Sequence, residues 1–217
     1  MAVMGDKSGS GSCVAGVARR KRGRPRSEAS RVAVLKAAAE LLDVDQISFD
    51  ALTVERIASR AKVGKQTIYR WWPNKAGVVL DAIIDDHLSL TFPPVPDSGD
   101  LAADVRSWME TMLDEAMTEE LISMVRHLVA AIAMGSAEVQ ARLRVSELCE
   151  NPQLRARFLV EESRGGLRPG VDPMVVTSAI MDPLLLRMLA IGAPEPEWAH
   201  DLVDTVLRGA LPATSGV

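Results

Sequence analysis

The chain has 217 residues, of which 47% are hydrophobic, 25% charged and 4% aromatic. This length suits one globular domain or a small module joined to a larger one, and the apolar content excludes general disorder. The formal charge of −4 conceals a split: residues 19–75 carry fourteen Lys and Arg against six Asp and Glu, and residues 76–217 carry ten against twenty-two. A basic first third attracts a polyanion, whereas the acidic remainder is repelled by one.

Residues 1–18 are rich in Gly and Ser, without periodicity, and read as a tail. Arg19 to Arg26 form a basic arm too charged to fold alone, and Pro25 is expected to hold it extended. The first helical periodicity, near Val32, comes too late for an export signal, so a cytoplasmic protein is expected. Val32, Leu35, Ala39 and Leu42 predict a helix over Glu28 to Asp43. After a loop over Asp45 to Leu52, Thr53 is placed to cap a short helix, Val54 to Ala61, buried through Val54, Ile57, Ala58 and Ala61. A tight turn, Lys62-Val63-Gly64, leads to a second short helix, Lys65 to Trp71. Asn74 then caps a fourth, running from Lys75 to about Leu90. Two short helices joined by a three-residue turn containing Gly have the form of a helix-turn-helix.

The Pro-rich run from Phe92 to Gly99 marks a boundary. Beyond it, one apolar stripe runs through Leu101, Val105, Trp108, Met109, Met112, Leu113 and Ala116. Another runs through Leu121, Ile122, Val125, Leu128, Val129 and Ile132. Weaker helices are predicted over Ala137–Cys149 and Pro152–Arg164, the latter capped by Asn151 and stopped by Gly165-Gly166. Asp172-Pro173 opens a long apolar helix to about Ile191. The apolar stretch Met174–Ala193 approaches membrane-spanning length, but Asp182, Pro183 and Arg187 favour a buried helix, and no membrane partner is expected. Pro183 is expected to kink it, and Asp182 to need a partner such as Arg187 or Arg126. A last helix, Glu195 to Ala210, carries Trp198, Leu202, Val206 and Leu207 at helical spacing. No run alternates convincingly with period two, so the fold class is all-α. Cys13 and Cys149 show neither CxxC nor Cys/His spacing, and no metal or cofactor is expected.

In a helix-turn-helix the second helix enters the major groove, with one face packed inward and the other reaching base edges. Ile68 and Val63 supply the packing; Lys65, Gln66, Tyr69 and Arg70 recur at spacings of three and four on the outward side. Gln can bond an adenine edge twice and Arg a guanine edge, while Tyr, Thr and Lys more often bond phosphate. A solvated face above core aromatics is the competing reading for each residue singly; as a set they favour double-stranded DNA. Arg22, Arg24 and Arg26 in the arm fit two readings equally. One is an A·T-rich minor-groove contact resembling an AT-hook, and the other is a tail binding phosphates without preference.

Thr53-Val-Glu-Arg-Ile57-Ala58 followed by Ala61-Lys-Val63-Gly64-Lys-Gln-Thr67-Ile68-Tyr69-Arg-Trp-Trp-Pro73-Asn74-Lys75 resembles the DNA-binding domain of the TetR (tetracycline-repressor) family of bacterial transcription regulators. The match covers about residues 28–85. It implies a homodimer, with Thr53 and Lys75 at phosphates, Tyr69 mainly at phosphate, and Lys65, Gln66, Thr67 and Arg70 near bases or backbone. Gly64 stands where many members carry a capping residue, so the recognition helix is expected to start without a side-chain cap. The sequence around Leu167 to Leu184 and the closing helix more weakly resemble the C-terminal domain of one TetR subfamily. There the last two helices pair with their two-fold mates, which makes Leu186, Trp198, Leu202 and Val206 candidates for dimerisation. The family also implies a pocket for a small apolar or amphipathic effector among helices 4 to 8; Trp108, Met109, Met112, Met124, His127, Met134 and Met181 are candidate lining, although ordinary core roles compete for each.

The resulting division is a tail with a basic arm (1–26), a three-helix helix-turn-helix domain (27–75), a connecting helix 4 (76–92), a helical effector-binding and dimerisation domain (93–211) and a short tail (212–217). The expected function is a dimeric, ligand-responsive repressor on an inverted-repeat operator. An activator or a regulator controlled by a protein partner is the alternative. An enzyme acting on an apolar substrate would need a nucleophile or acid/base pair that the sequence does not offer.

Overall fold

The computed structural model describes residues 24–90, 92–145 and 151–212. These hold ten α-helices and no strand among the described residues, in agreement with the all-α expectation. In chain order they are α1 (Arg24–Ala39), α2 (Val54–Ala61), α3 (Lys65–Tyr69), α4 (Lys75–Ile84), α5 (Leu101–Thr111), α6 (Glu119–Ala133), α7 (Ala137–Val145), α8 (Pro152–Ser163), α9 (Pro173–Ile191) and α10 (Pro196–Ala210). After α1 and α5 the backbone widens into a π-turn, Glu40–Val44 and Met112–Ala116. Bonds from Asp45 N to Glu40 O and from Met117 N to Met112 O, both 3.0 Å, close these turns.

Helix starts follow side-chain chemistry. Thr53, Asn74, Asp100, Thr118, Asn151 and Asp172 each accept a bond from a first-turn N–H of the helix that follows, at 2.8 to 3.2 Å. Each satisfies a donor that the helix itself cannot, at about 1 kcal/mol per cap. Pro152 and Pro173 add a preset φ at the start of α8 and α9. Helix ends are set by left-handed residues. Lys62, at φ 56°, ends α2, with Val63 N bonded to Ala58 O at 3.0 Å. Gly165, at φ 74°, follows α8.

Several sequence expectations are corrected. The first helix starts at Arg24, not near Glu28, so Pro25 lies in its first turn instead of holding an extended arm. The recognition helix stops at Tyr69, short of Trp71. The fourth helix ends at Ile84 instead of near Leu90, because Asp86 turns left-handed (φ 56°). His87 N then bonds Ala82 O at 2.8 Å and Asp86 N bonds Ile83 O at 3.1 Å, closing a Schellman-type end. Asp182 is exposed and needs no buried partner; Arg187 pairs with Glu195 and Arg126 donates to Met188 O. Arg22, Cys13, Cys149 and the end of the helix expected over Ala137–Cys149 lie outside the described residues.

Two hydrophobic cores organise these helices. The first gathers Leu35, Phe49, Leu52, Ile57, Ile68, Trp72 and the inner face of α4, together with Leu128 of α6 and Leu143 of α7. The second joins Trp108 and Met109 of α5, Phe158 of α8, Ile180 of α9 and Val203 of α10. Helices α6 and α7 therefore lie on the core of α1–α4, while α5, α8, α9 and α10 enclose the other. Within the second core Arg157 and Asp104, 3% and 2% exposed at the side chain, form an ion pair at 2.9 Å. Burial alone would raise the Asp104 carboxyl's pKa, but bonds from Ser98 and Arg157 outweigh it and hold that carboxyl below its ordinary range.

Candidate nucleic-acid interface

The short helix α3 is positioned by one deeply buried residue, Ile68, which is wholly inaccessible to solvent and belongs to the first core. With Ile68 pointing inward, Lys65, Gln66, Tyr69 and Arg70 are all exposed on the other side, Tyr69 by 52%. The structure thus brings four expected reading residues onto one exposed surface, and Thr67 beside them is half-buried. Gly64 starts α3 in an extended conformation with no side-chain cap, as the sequence implies.

Thr53 is exposed in front of α2; its hydroxyl oxygen accepts from Arg56 N at 3.2 Å, and the hydroxyl donates to the Glu55 carboxylate. Lys65 Nζ lies 2.7 Å from Glu55 Oε1 across the turn. The hydrogen bond from Lys65 lowers the Glu55 carboxyl's pKa, and the same bond raises that of the Lys65 ammonium. Arg24 and Arg26 fall in the first turn of α1.

Lys75 has a role that its motif position does not reveal. Its ammonium donates to the carbonyls of Phe49, Asp50 and Leu52 at 2.7, 3.1 and 3.0 Å and lies 4.6 Å from the Phe49 ring centroid. Three donors meet three acceptors, and together they anchor the loop before α2. Arg56 of α2 and Lys62 of the turn, which the sequence reading did not single out, are both exposed and basic. With Leu41, Ser59 and Arg60 they line an open depression of about 420 Å³. The i,i+4 spacing of Arg56 and Arg60 was the available signal. Arg60 is not free to bind an anion, since Glu40 and Asp45 both pair with it.

Behind the reading surface, Trp72 follows α3 and its indole Nε1 donates to Asp81 Oδ2 at 2.9 Å. Arg31 of α1 donates to Asp81 at 2.9 Å and to Asp85 at 2.8 Å. Arg142 of α7 donates to Asp81 Oδ1 at 3.0 Å and also bonds Asp85. Burial opposes the charge of Arg31, but its bonds to the two carboxylates more than compensate and raise its pKa.

Of the expected effector residues, four gather at the second core and three lie apart from it. Trp108, Met109 and Met112 are at most 2% exposed in the second core, and Met181 is half-buried against it. Met124 instead packs on the first core. His127 is exposed, with Nδ1 2.8 Å from Ser123 O, and Met134 is 88% exposed. Of the dimerisation candidates, Leu186 is 69% exposed, whereas Trp198, Leu202 and Val206 are half-buried against the second core. Trp198 is covered by the Arg187 guanidinium at 4.5 Å. Among the described residues no group of three or more His, Cys, Asp and Glu is arranged to hold a metal ion.

A helix-turn-helix with Lys65, Gln66, Tyr69 and Arg70 exposed around one buried Ile68 is the architecture found in DNA-binding proteins. Residues 34–82 match the profile of bacterial regulatory proteins, tetR family, and residues 95–206 that of the tetracyclin repressor-like C-terminal domain. The chain belongs to the TetR family of transcriptional regulators. It is 35% identical over 192 residues to the HTH-type transcriptional regulator YdeS of Bacillus subtilis (strain 168), covering 87% of this chain and 93% of that one. The HTH-type regulator Rv2250c of Mycobacterium tuberculosis is 26% identical over 181 residues, 83% of this chain and 87% of its own. Among solved structures, the TetR family transcription regulator SCO0332 superposes with a TM-score of 0.54 at 25% identity, covering 84% of this chain and 99% of that one.

Proposed function

We propose that this regulator is a homodimeric, ligand-responsive repressor that binds an inverted-repeat operator in the bacterial cytoplasm. The exposed Lys65, Gln66, Tyr69 and Arg70 surface over buried Ile68 carries the DNA-reading part. In this reading Gln66 and Arg70 reach base edges. Lys65, Thr67, Tyr69 and Thr53 hold the backbone, and the arm with Arg22, Arg24 and Arg26 adds charge or minor-groove contacts. The dimer reading is supported by α9: it is long and apolar, and Val175 and Leu186, which helical spacing puts on one side of it, are 64% and 69% exposed. An isologous pairing of this face would remove a patch that a lone chain leaves in water.

The sensor reading is supported by family membership and by the methionine content of the second core. Methionine side chains repack readily, so Met109, Met112 and Met181 beside Trp108 form the preferred lining for an apolar effector. Effector binding would then lower operator affinity by about 5–150-fold, and linkage requires operator to weaken the effector equally. The test compares operator with random duplex. Gln66→Ala or Arg70→Ala should relax base preference at one operator position by about 1–3 kcal/mol, while equal losses on both duplexes would assign the residue to the backbone. Candidate ligands added to the wild type should weaken operator binding and be recovered unchanged; no ligand effect would leave a constitutive DNA-binding dimer.

A further inference from the structure

The helix-turn-helix is held at both ends by helices of the second half of the chain. At its start, α6 reaches the loop before α2. Ser123 Oγ donates to Asp50 Oδ1 at 2.9 Å, and the His127 ring lies 5.3 Å from that of Phe49, the residue whose carbonyl Lys75 binds. At its far end, α7 reaches past α4: Arg142 bonds Asp81, and the other oxygen of the same carboxylate accepts from the Trp72 indole and from Arg31. The sequence separations, 73 residues for Ser123–Asp50 and 61 for Arg142–Asp81, make both contacts tertiary. None of Ser123, His127, Arg142 or Asp81 lies on the reading surface. Trp72 is buried three residues after Tyr69, so a change in its seat moves the end of α3 directly.

We infer that Arg142, with Asp81, and Ser123, with His127, are positioning residues that set the pose of the recognition helix from α7 and α6, in addition to whatever α4 transmits. The inference rests on the DNA-reading assignment above. A bidentate guanidinium on two carboxylates is a geometrically specific joint, since its planar fork fixes direction as well as distance. Displacing α6 or α7 therefore displaces one end of the motif while the other stays on the first core, which tilts α3 in the groove. Phosphate attraction is not altered, because no cation near the surface is added or removed.

The test uses the full chain and the operator it selects from random duplex DNA. Two variants, Arg142→Leu and the pair Ser123→Ala with His127→Leu, are titrated on operator and on random duplex across a salt series, with thermal melts recorded beside them. Each variant should bind operator about threefold to thirtyfold more weakly and random duplex within about twofold of wild type, at an unchanged salt slope. Amide exchange of Trp71 and Trp72 should rise in Arg142→Leu. If Arg142→Leu fails to fold, Arg142→Gln keeps a donor without the fork and gives the same reading. Operator affinity equal to wild type in the folded variants, or equal losses on operator and random duplex, would overturn the assignment. A wild type that selects no sequence would remove the DNA reading as well, so the two failures are distinguishable.

Discussion

Lys75 shows how one residue's task depends on where its neighbours fold. Its motif position marks a phosphate contact, yet the ammonium is surrounded by the carbonyls of Phe49, Asp50 and Leu52. Lys75→Met should therefore lower stability by about 1–3 kcal/mol, the cost of leaving such acceptors unpaired, and leave the salt dependence of DNA binding unchanged. Thermal melting and a salt titration separate this from the phosphate role, which would reduce the slope by about one. Asp104 carries the second residue-scale prediction. Its folded pKa lies below the unfolded value of about 3.9, so its contribution is complete above that value and is lost as pH falls through the folded one. Asp104→Asn should flatten the acid limb of stability against pH. Asp104→Ala should cost about 3 kcal/mol at neutral pH, since Arg157 would keep only its other partners, Glu161 among them. An unchanged acid limb in Asp104→Asn would shift that limb to the remaining carboxylates.

At the scale of elements, legibility followed the range of the interaction that sets each boundary. The expected span of α2, Val54–Ala61, matches to the residue because Thr53 caps it locally and Lys62 ends it within the same turn. Asn151-Pro152 and Asp172-Pro173 fixed two later starts in the same way. The end of α4 was not legible: it depends on Asp86 going left-handed beside Asp85, whose partners Arg31 and Arg142 are 54 and 57 residues away. The exposed side of α3 was legible because a period of three to four around the one apolar residue, Ile68, separates its faces. The positioning network was not, because an Asp and an Arg 61 residues apart carry no sequence pattern. The start of α3 gives the element-scale prediction. Gly64 has φ −76° and nothing within 4 Å of an added Cβ, so a side chain fits without strain. Gly64→Ser should stabilise the chain by about 0.5–1 kcal/mol through a cap and a stiffer unfolded state, read as a higher melting temperature. A lower melting temperature would mean that the turn needs the freedom of glycine despite its ordinary φ.

At the scale of the whole molecule, the two cores explain how a basic reading head and an acidic body form one regulator. Helices α6 and α7 belong by sequence to the acidic part and by packing to the basic one, so the body has a direct hold on the head. The proposed dimer would use the remaining apolar face of α9. Leu186→Glu is the better probe of that face than Leu202→Glu, since Leu186 is 69% exposed while Leu202 packs on the second core and would report on folding as well. Leu186→Glu should sediment as a folded monomer with weakened operator binding; an unchanged dimer would move the interface elsewhere. Whether the protein is a two-fold DNA reader built on α3 is decided by selecting bound sequences from random duplex DNA with the wild-type chain. The expected product is an inverted repeat whose half-site centres are separated by about one helical turn or a multiple of it. Recovery of sequences with no shared motif, or of a single unrepeated half-site bound with full affinity, would contradict it.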